Sequence, residues 1–249
     1  MSVDTLTEKI EEYVRFMADE GKQVDVTMSD IAAFRAASSA EAASCNERPR
    51  GNTGKTKVCS ESVDDLESIA TMIAGCTKCA LHQSRNKTVP GQGCHNPDIM
   101  FIGEAPGSDE DRQGKAFVGR AGQLLTKMIE AMGYGREEVF IGNILKCRPP
   151  GNRKPLPVEM ETCMPYLKRQ INVLQPKVII TLGGTAAEGL FDVNTGITRL
   201  RGKWLSFEGI DVMPTYHPAY LLRNPAAKRE TWQDLQAALR RLGRPVPGK

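Results

Sequence analysis

Hydrophobic and polar positions follow different patterns in the N-terminal and C-terminal parts of the chain. Over residues 4–20 the apolar side chains recur at helical spacing, which predicts one amphipathic helix. Residues 36–62 consist largely of Ala, Ser, Gly and charged residues with little to bury, and this composition predicts a flexible linker. We therefore expect an N-terminal helix and linker over residues 1–62 and a folded domain over residues 63–249.

From residue 63 onward, short apolar runs are each followed by a turn and a helical pattern. Four runs predict buried strands: DIMFIGEAPG, EEVFIGNILK, PKVIITLGG and GIDVMPTYHP. KWLSFEG predicts an additional antiparallel strand, and a last helix is expected near residues 227–242. The first helix, in SVDDLESIATMIAGC, has Ser62 as its expected N-cap. This alternation implies a three-layer α/β/α fold with a central, mainly parallel four-stranded sheet.

Composition and charge narrow the class of protein. Of the 249 residues, 40% are hydrophobic and 25% charged, which is typical of a globular protein. No apolar run approaches the roughly 20 residues that span a bilayer, and the first residues lack an apolar signal core, so we expect a cytosolic protein. Residues 1–70 carry a net charge of −6 and residues 71–249 a net charge of +9. The basic C-terminal part indicates a polyanionic partner.

Polar motifs follow three of the four predicted parallel strands. GEAPGSDED follows the first strand, NILKCRPPGNRKP the second and TYHPAYLLR the fourth. One such motif alone is typical of an ordinary surface turn. Because the carboxyl ends of parallel strands meet at one edge of a sheet, the three motifs together predict a functional site at that edge.

Four of the seven cysteines have the spacing of metal ligands. Cys76 and Cys79 form a C-x2-C pair, and Cys147 and Cys163 form a second pair farther along the chain. Four thiolates can hold a [4Fe–4S] cluster or a tetrahedral zinc ion, and the spacing does not distinguish these two. Four unconnected buried thiols are the plain alternative, whereas disulfides are not expected in a reducing compartment.

These motifs together resemble the family 4 uracil-DNA glycosylases. The resemblance rests on GEAPGSDED, GKAFVGRAGQLL, NILKCRPPGNRKP and HPAYLLR with the four cysteines, and it spans about residues 70–243. It implies an enzyme that flips uracil out of DNA and hydrolyses its N-glycosidic bond, which leaves an abasic site. It also implies that Cys76, Cys79, Cys147 and Cys163 hold a [4Fe–4S] cluster, for which we expect a structural role.

The resemblance also implies a role for each motif residue. Phe117 would stack on uracil, and Asn143 would pair with its O4 and N3–H edge. His217 would donate to uracil O2 and so stabilise the leaving anion. Glu104 or Glu110 would stabilise an oxocarbenium-like sugar and position the water, and the sequence does not decide between them. The remaining pocket residues are expected to be Gly103, Ala105 and Pro106.

Contacts with the rest of the DNA are expected around the same edge of the sheet. Leu221 or Leu222 would enter the gap left by the flipped base as an apolar wedge. Phosphate contacts are expected from Arg148, Arg153, Lys154 and Arg223.

Two other functions are open from the sequence. A protein of the same superfamily could bind or trap uracil-DNA without turnover, but such relatives carry an added basic loop with a histidine after the segment that matches GKAFVG. This chain has no histidine there. A zinc-bound nucleic-acid adaptor without activity is the other alternative. The set of Glu104, Asn143 and His217 favours the enzyme, which we expect to be a monomer that acts on single- or double-stranded DNA. Its N-terminal helix could dock a repair or replication partner.

Overall fold

The structure is a computed structural model, and it describes residues 65–191 and 195–247. The predicted N-terminal helix at residues 4–20 and the linker at residues 36–62 lie outside the described residues, so both stay predictions. In the part of the chain that is described, no helix has both the length and the apolar character needed to cross a membrane.

Strands and helices alternate along the described residues, as the hydrophobic pattern predicted. The strands are β1 (Gln92–Gly93), β2 (Ile99–Gly103), β3 (Phe140–Asn143), β4 (Val178–Leu182), β5 (Leu205–Phe207) and β6 (Ile210–Thr215). The α-helices are α1 (Leu66–Ala74), α2 (Ser108–Gln113), α3 (Arg120–Ala131), α4 (Pro157–Leu174), α5 (Gly184–Phe191), α6 (Ile197–Leu200), α7 (Pro218–Arg223) and α8 (Lys228–Arg241). Short 3-10 helices occupy Ala80–Gln83, Arg136–Glu138, Pro150–Asn152 and Pro225–Ala227.

The strands form one mixed sheet in the order β1-β3-β2-β4-β6-β5. The four inner strands, β3, β2, β4 and β6, are parallel to one another, which confirms the predicted parallel core. The antiparallel strand predicted from KWLSFEG is β5, at one edge. Strand β1 adds a second antiparallel edge that was not predicted, because its two residues, Gln92 and Gly93, form no apolar run.

Both faces of the sheet are covered by helices, as the three-layer prediction requires. Phe101 of β2 points into a hydrophobic cluster that includes Leu125 of α3 and Leu239 of α8. Ile102, its neighbour on the same strand, points into a second cluster that contains Leu167 of α4 and other side chains of α4 and α5. Successive residues of a strand face opposite sides of the sheet, and β2 is buried on both sides.

Helix α1 begins three residues later than the predicted N-cap implied. The structure places Asp65 at the N-cap, where its carboxylate accepts a hydrogen bond from the Ser68 backbone N–H at 2.6 Å. The Asp65 N–H donates in return to the Ser68 hydroxyl at 3.3 Å. The prediction of Ser62 was therefore wrong, because the reciprocal pair of Asp65 and Ser68 satisfies two free amides at the helix start.

Candidate active site

A cleft of about 520 Å³ opens at the carboxyl edge of the parallel strands. All three predicted motifs contribute to its walls, so the structure brings together the residues that the sequence placed at three separate strand ends. The lining residues named by the sequence are Glu104, Ala105, Pro106, Glu110, Phe117, Asn143, Arg153, His217 and Arg223.

The side chain of Asn143 lies in this cleft with an unused acceptor. Asn143 is the last residue of β3 and is only 1% exposed. Its Oδ1 is buried and has no hydrogen-bond partner among the described residues. A buried polar atom without a partner costs about 1–3 kcal/mol. Such an atom in the wall of a cleft is typical of a site that completes its hydrogen bonding with a ligand.

Gly103, at the end of the neighbouring strand β2, pairs in register with Asn143. A Cβ atom at Gly103 would collide with Oδ1 of Asn143 and with the Phe117 ring. The absence of a side chain at this position therefore lets the amide and the ring approach each other. This explains the first glycine of GEAPG as a requirement of packing in the cleft.

Lys146 holds the end of β3 from behind the cleft. This lysine is 1% exposed, and its Nζ donates to the backbone oxygen of Asn143 at 2.8 Å and to Oε1 of Gln170 at 2.7 Å. Burial lowers the pKa of Lys146 to about 8. Lys146 was not predicted from the sequence, although a lysine that follows two apolar residues and precedes a cysteine in NILKC was an available signal.

Phe117 forms an apolar wall of the cleft in an unusual backbone conformation. Its φ is 51°, in the left-handed region that bulky residues rarely adopt. The side chain is 7% exposed, and the centroid of its ring lies 5.7 Å from that of the His217 ring. The backbone of Phe117 also touches helix α3, where a Cβ atom at Gly122 would overlap the Phe117 carbonyl group.

His217 is the N-cap of α7, and the hydrogen bond that it makes there assigns its tautomer. Its Nδ1 accepts the backbone N–H of Ala219 at 3.1 Å. Burial and, to a smaller extent, the positive charge of Arg223 lower the pKa of His217 to about 4, against the opposing effect of Glu110. The ring is therefore neutral at pH 7, and its proton resides on Nε2, where it can be donated to a ligand.

The two candidate carboxylates have different surroundings. One oxygen of Glu110 accepts the backbone N–H groups of Val118 and Gly119, each at 2.9 Å, so this carboxylate holds the loop after Phe117. The Glu104 carboxylate makes no hydrogen bond or ion pair with any other described residue. Glu104 is half-buried in the cleft wall, so its oxygens are available to a substrate or water.

The side chains predicted to contact phosphates differ in how many hydrogen bonds and ion pairs they already form within the protein. Arg153 donates two hydrogen bonds to Glu159, at 2.9 and 2.6 Å, and Lys154 pairs with Glu188 at 2.6 Å. Arg148 donates to Oδ1 of Asn152 at 2.7 Å and lies beside the cleft rather than in its lining. Arg223 is exposed at the cleft and ends helix α7.

The two leucines of α7 differ in their exposure to solvent. Leu221 is 1% exposed and belongs to the hydrophobic cluster under α3 and α8. The prediction that Leu221 contacts DNA is therefore corrected, because its side chain is part of the core. Leu222, the next residue, is 44% exposed.

The four cysteines at ligand spacing line one pocket between α1, the loop after β3 and α4. Backbone and side-chain donors point at two of the sulfurs: Arg85 donates to Sγ of Cys147 at 3.2 Å, and the N–H of Lys146 donates to Sγ of Cys163 at 3.3 Å. Burial raises the pKa of the Cys147 and Cys163 thiols, that of Cys163 to about 11.

A thiolate is a charged acceptor and forms stronger hydrogen bonds than a neutral thiol does. The donors that point at these sulfurs therefore fit a site in which the cysteines bind a metal group as thiolates. Over residues 65–191 and 195–247, however, no three Cys, His, Asp or Glu side chains are close enough to hold a single metal ion.

Several cleft residues were not predicted from the sequence. They are Gly107, Ala121, Pro149, Asn152, Ala219 and Tyr220. Most of them lie inside or next to the motifs that were recognised, so the motif boundaries were the available signal. The ring of Tyr220 stacks against that of Tyr216, with 4.9 Å between the centroids.

Comparison with known proteins agrees with this fold. A family model described as the uracil DNA glycosylase superfamily matches residues 90–236, which include all three strand-end motifs. The chain belongs to the uracil-DNA glycosylase superfamily.

Within the superfamily, the chain is similar to several type-4 uracil-DNA glycosylases. It is 46% identical over 183 residues to the one from Sulfurisphaera tokodaii, an alignment that covers 70% of this chain and 83% of that protein. It is 44% identical to the one from Archaeoglobus fulgidus, with 70% of this chain and 92% of that protein covered. The type-4 enzyme of Thermotoga maritima is 42% identical, with the same two shares covered.

Proposed function

We propose that this protein is a DNA repair enzyme that hydrolyses the N-glycosidic bond of uracil in DNA and leaves an abasic site. The observation that carries the proposal is the buried, unpartnered Oδ1 of Asn143 in a cleft beside the Phe117 ring. The type-4 relatives support it by name. A protein that binds uracil-DNA without turnover is disfavoured, because the carboxylate of Glu104 and the donor of His217 both line the cleft.

Recognition of uracil would follow from the donor and acceptor order of one amide. Oδ1 of Asn143 accepts the N3–H of uracil and Nδ2 donates to O4, while the base stacks on Phe117. Cytosine has no N3–H and carries an amino group at position 4, so it would leave both groups of the amide unpaired. Leaving a buried polar group unpaired costs about 1–3 kcal/mol, and sites built on such hydrogen bonds reject the wrong ligand strongly.

Bond cleavage would be assisted from the two sides of the scissile bond. When the bond between C1′ of the sugar and N1 of uracil breaks, its electron pair leaves with uracil, and Nε2–H of His217 donates to O2 of that anion. Glu104 stabilises the cationic sugar and orients a water for attack on C1′. The water's proton passes to this carboxylate as the new C1′–O bond forms. Glu110 keeps Phe117 and its loop in position through the amides of Val118 and Gly119.

DNA would lie over the basic side chains in and beside the mouth of the cleft. We assign phosphate contacts to Arg223, Arg148, Arg153 and Lys154, of which the last two must exchange an ion pair for a phosphate. The wedge in the gap left by uracil is Leu222, which is exposed on the same helix as Arg223. A monomeric state, a cytosolic location and a partner for the N-terminal helix stay predictions from the sequence.

We further propose that Cys76, Cys79, Cys147 and Cys163 hold a [4Fe–4S] cluster. When bound, the cluster would cross-link the segment after α1, the loop after β3 and α4 through these four thiolates. A cluster divides the four thiolates among four irons. The four sulfurs share a pocket but do not surround one common point among the described residues. A cluster therefore fits them better than a single zinc ion does. Cys147 lies four residues after Asn143, so the cross-link would fix the end of the strand that reads uracil.

The test is excision from a single-stranded oligonucleotide that contains one uracil, with alkaline cleavage of the abasic product. A matched oligonucleotide with cytosine in place of uracil is the negative control. We expect strand cleavage by the wild type at uracil only, and none by the Glu104→Ala/His217→Ala double variant. Retained binding of uracil-DNA without cleavage by the wild type would instead support the trapping protein.

The cofactor is tested on anaerobically purified protein. We expect brown protein with broad visible absorbance and close to four irons per chain, the number that a [4Fe–4S] cluster requires. Colourless protein with one zinc per chain would overturn the assignment of the cluster.

A further inference from the structure

Two side chains of opposite charge hold the loop of residues 116–119, and each forms hydrogen bonds with different backbone groups of the loop. The Glu110 carboxylate accepts the N–H groups of Val118 and Gly119. On the other side, one nitrogen of the Arg136 guanidinium, Nη2, donates to the carbonyl oxygens of Ala116 at 2.7 Å and Phe117 at 3.0 Å. The loop that carries the Phe117 ring is thus fixed through its amides by an anion and through its carbonyls by a cation.

The position of the guanidinium is itself fixed by helix α3. Nη1 of Arg136 donates to the Thr126 hydroxyl at 2.9 Å, and that hydroxyl donates to the backbone oxygen of Gly122 at 3.1 Å. Gly122 is the residue whose missing side chain makes room for the Phe117 carbonyl. Arg136 therefore joins the loop to helix α3, against which the Phe117 backbone is packed.

The conformation of Phe117 explains why such fastening is needed. With a φ of 51°, Phe117 is in a region that disfavours bulky residues. Left to itself, the loop would relax to an ordinary conformation and carry the ring with it. Strained conformations of this kind persist only where the surroundings over-determine them.

We propose that Arg136, which lies outside every motif recognised in the sequence, is a positioning residue that holds the Phe117 ring where it stacks on uracil. This inference rests on the proposed function, because Phe117 matters only if a base binds against it. Arg136 is not a phosphate contact, since it is half-buried and both terminal nitrogens already donate to groups of the protein.

The test is a double-mutant cycle on single-turnover uracil excision with four proteins: the wild type, Arg136→Gln, Phe117→Ala and the double variant. Misplacing a binding group by about 1 Å can cost up to about 100-fold in rate. We expect Arg136→Gln to lower kcat/KM by roughly 10- to 100-fold in the wild type. In the Phe117→Ala background it should change kcat/KM by less than about 3-fold, because a residue that acts only through Phe117 has nothing left to position.

Three further measurements distinguish positioning from general effects. Arg112→Gln is the matched control, since this arginine is 74% exposed and pairs with Asp109 at the surface. It should keep the wild-type rate. Arg136→Lys, which retains a cation and donors, should recover part of the lost rate, and it replaces Arg136→Gln in the cycle if the Gln variant does not fold. The dependence of DNA binding on salt should equal that of the wild type, because no phosphate contact is removed.

The result that overturns the inference is an equal loss of kcat/KM in both backgrounds, or a changed dependence of binding on salt. Failure of the proposed function has a different signature, since the wild type and Arg112→Gln would then show no excision either.

Discussion

Replacing His217 by Asn is expected to reduce the loss of folding stability that occurs as the pH falls towards 4. The folded-state pKa of this histidine is about 4, against an ordinary value of 6.5, because burial penalises the charged ring. The neutral ring is therefore favoured by folding. The stabilisation is complete above pH 6.5 and is lost as the pH falls through this window towards 4.

The size of the effect follows from the width of that window. One pKa unit corresponds to about 1.4 kcal/mol, so the whole gap is worth about 3 kcal/mol. The ring lies in the wall of an open cleft and is only half-buried. Water screens part of the penalty there, and we expect a loss of about 2 kcal/mol by pH 4.

The assay is urea unfolding of the wild type and of His217→Asn at several pH values from 7 to 4. Asn is chosen because its side-chain oxygen can accept the Ala219 N–H and so preserve the N-cap of α7. Carboxylates titrate in the same range in both proteins, so the informative quantity is the difference between their two profiles. That difference should shrink by about 2 kcal/mol as the pH falls to 4.

The matched control is His95→Asn, in which an exposed histidine is replaced. It should keep the pH profile of the wild type. Parallel profiles for the wild type and His217→Asn would refute the reasoning, because they would show that the ring is as easily protonated in the folded chain as in the unfolded one.

Other substitutions test the packing around the site. Gly103→Ala should lower kcat/KM for uracil roughly 100-fold, since its methyl group displaces the Asn143 amide and the ring beside it; thermal unfolding measures what the same clash does to stability. Leu221→Ala should cost about 2–5 kcal/mol of stability in a urea titration, whereas Leu222→Ala should change stability by less than about 0.5 kcal/mol and slow excision from duplex more than from single-stranded DNA. If the cysteine pocket holds iron, Arg85→Gln should lose visible absorbance faster in air than the wild type, because its bond to Cys147 is gone.

The parallel core of the fold could be predicted from the sequence because its strands are continuous apolar runs. Burial on both faces of β2, β3 and β4 produces such runs directly. Strand β1 could not be predicted, since two residues carry no pattern. The helix and linker expected over residues 1–62 lie outside the described residues, so the structure does not test them.

Site residues could be predicted where the residue type alone determines which groups donate and accept hydrogen bonds. They could not be predicted where the direction of the side chain in the fold determines its role. Asn143, His217 and Glu104 have side chains whose donors and acceptors follow from the residue type. The separation of Leu221 from Leu222 depends on which side of α7 meets α3 and α8, and adjacent residues on a helix point about 100° apart. Arg136 has no motif of its own, and its importance follows only from the left-handed backbone that it contacts.

The first five residues of the second motif, 143–147, are all at most 6% exposed, although they form the end of β3 and the start of a loop, where chains usually reach the surface. They place an amide in the cleft, an ammonium group behind it and a sulfur in the cysteine pocket. This stretch therefore tolerates few changes in length during evolution. An insertion or deletion would move the amide and the sulfur out of register together, so we expect homologues to vary in length elsewhere and to keep this spacing constant.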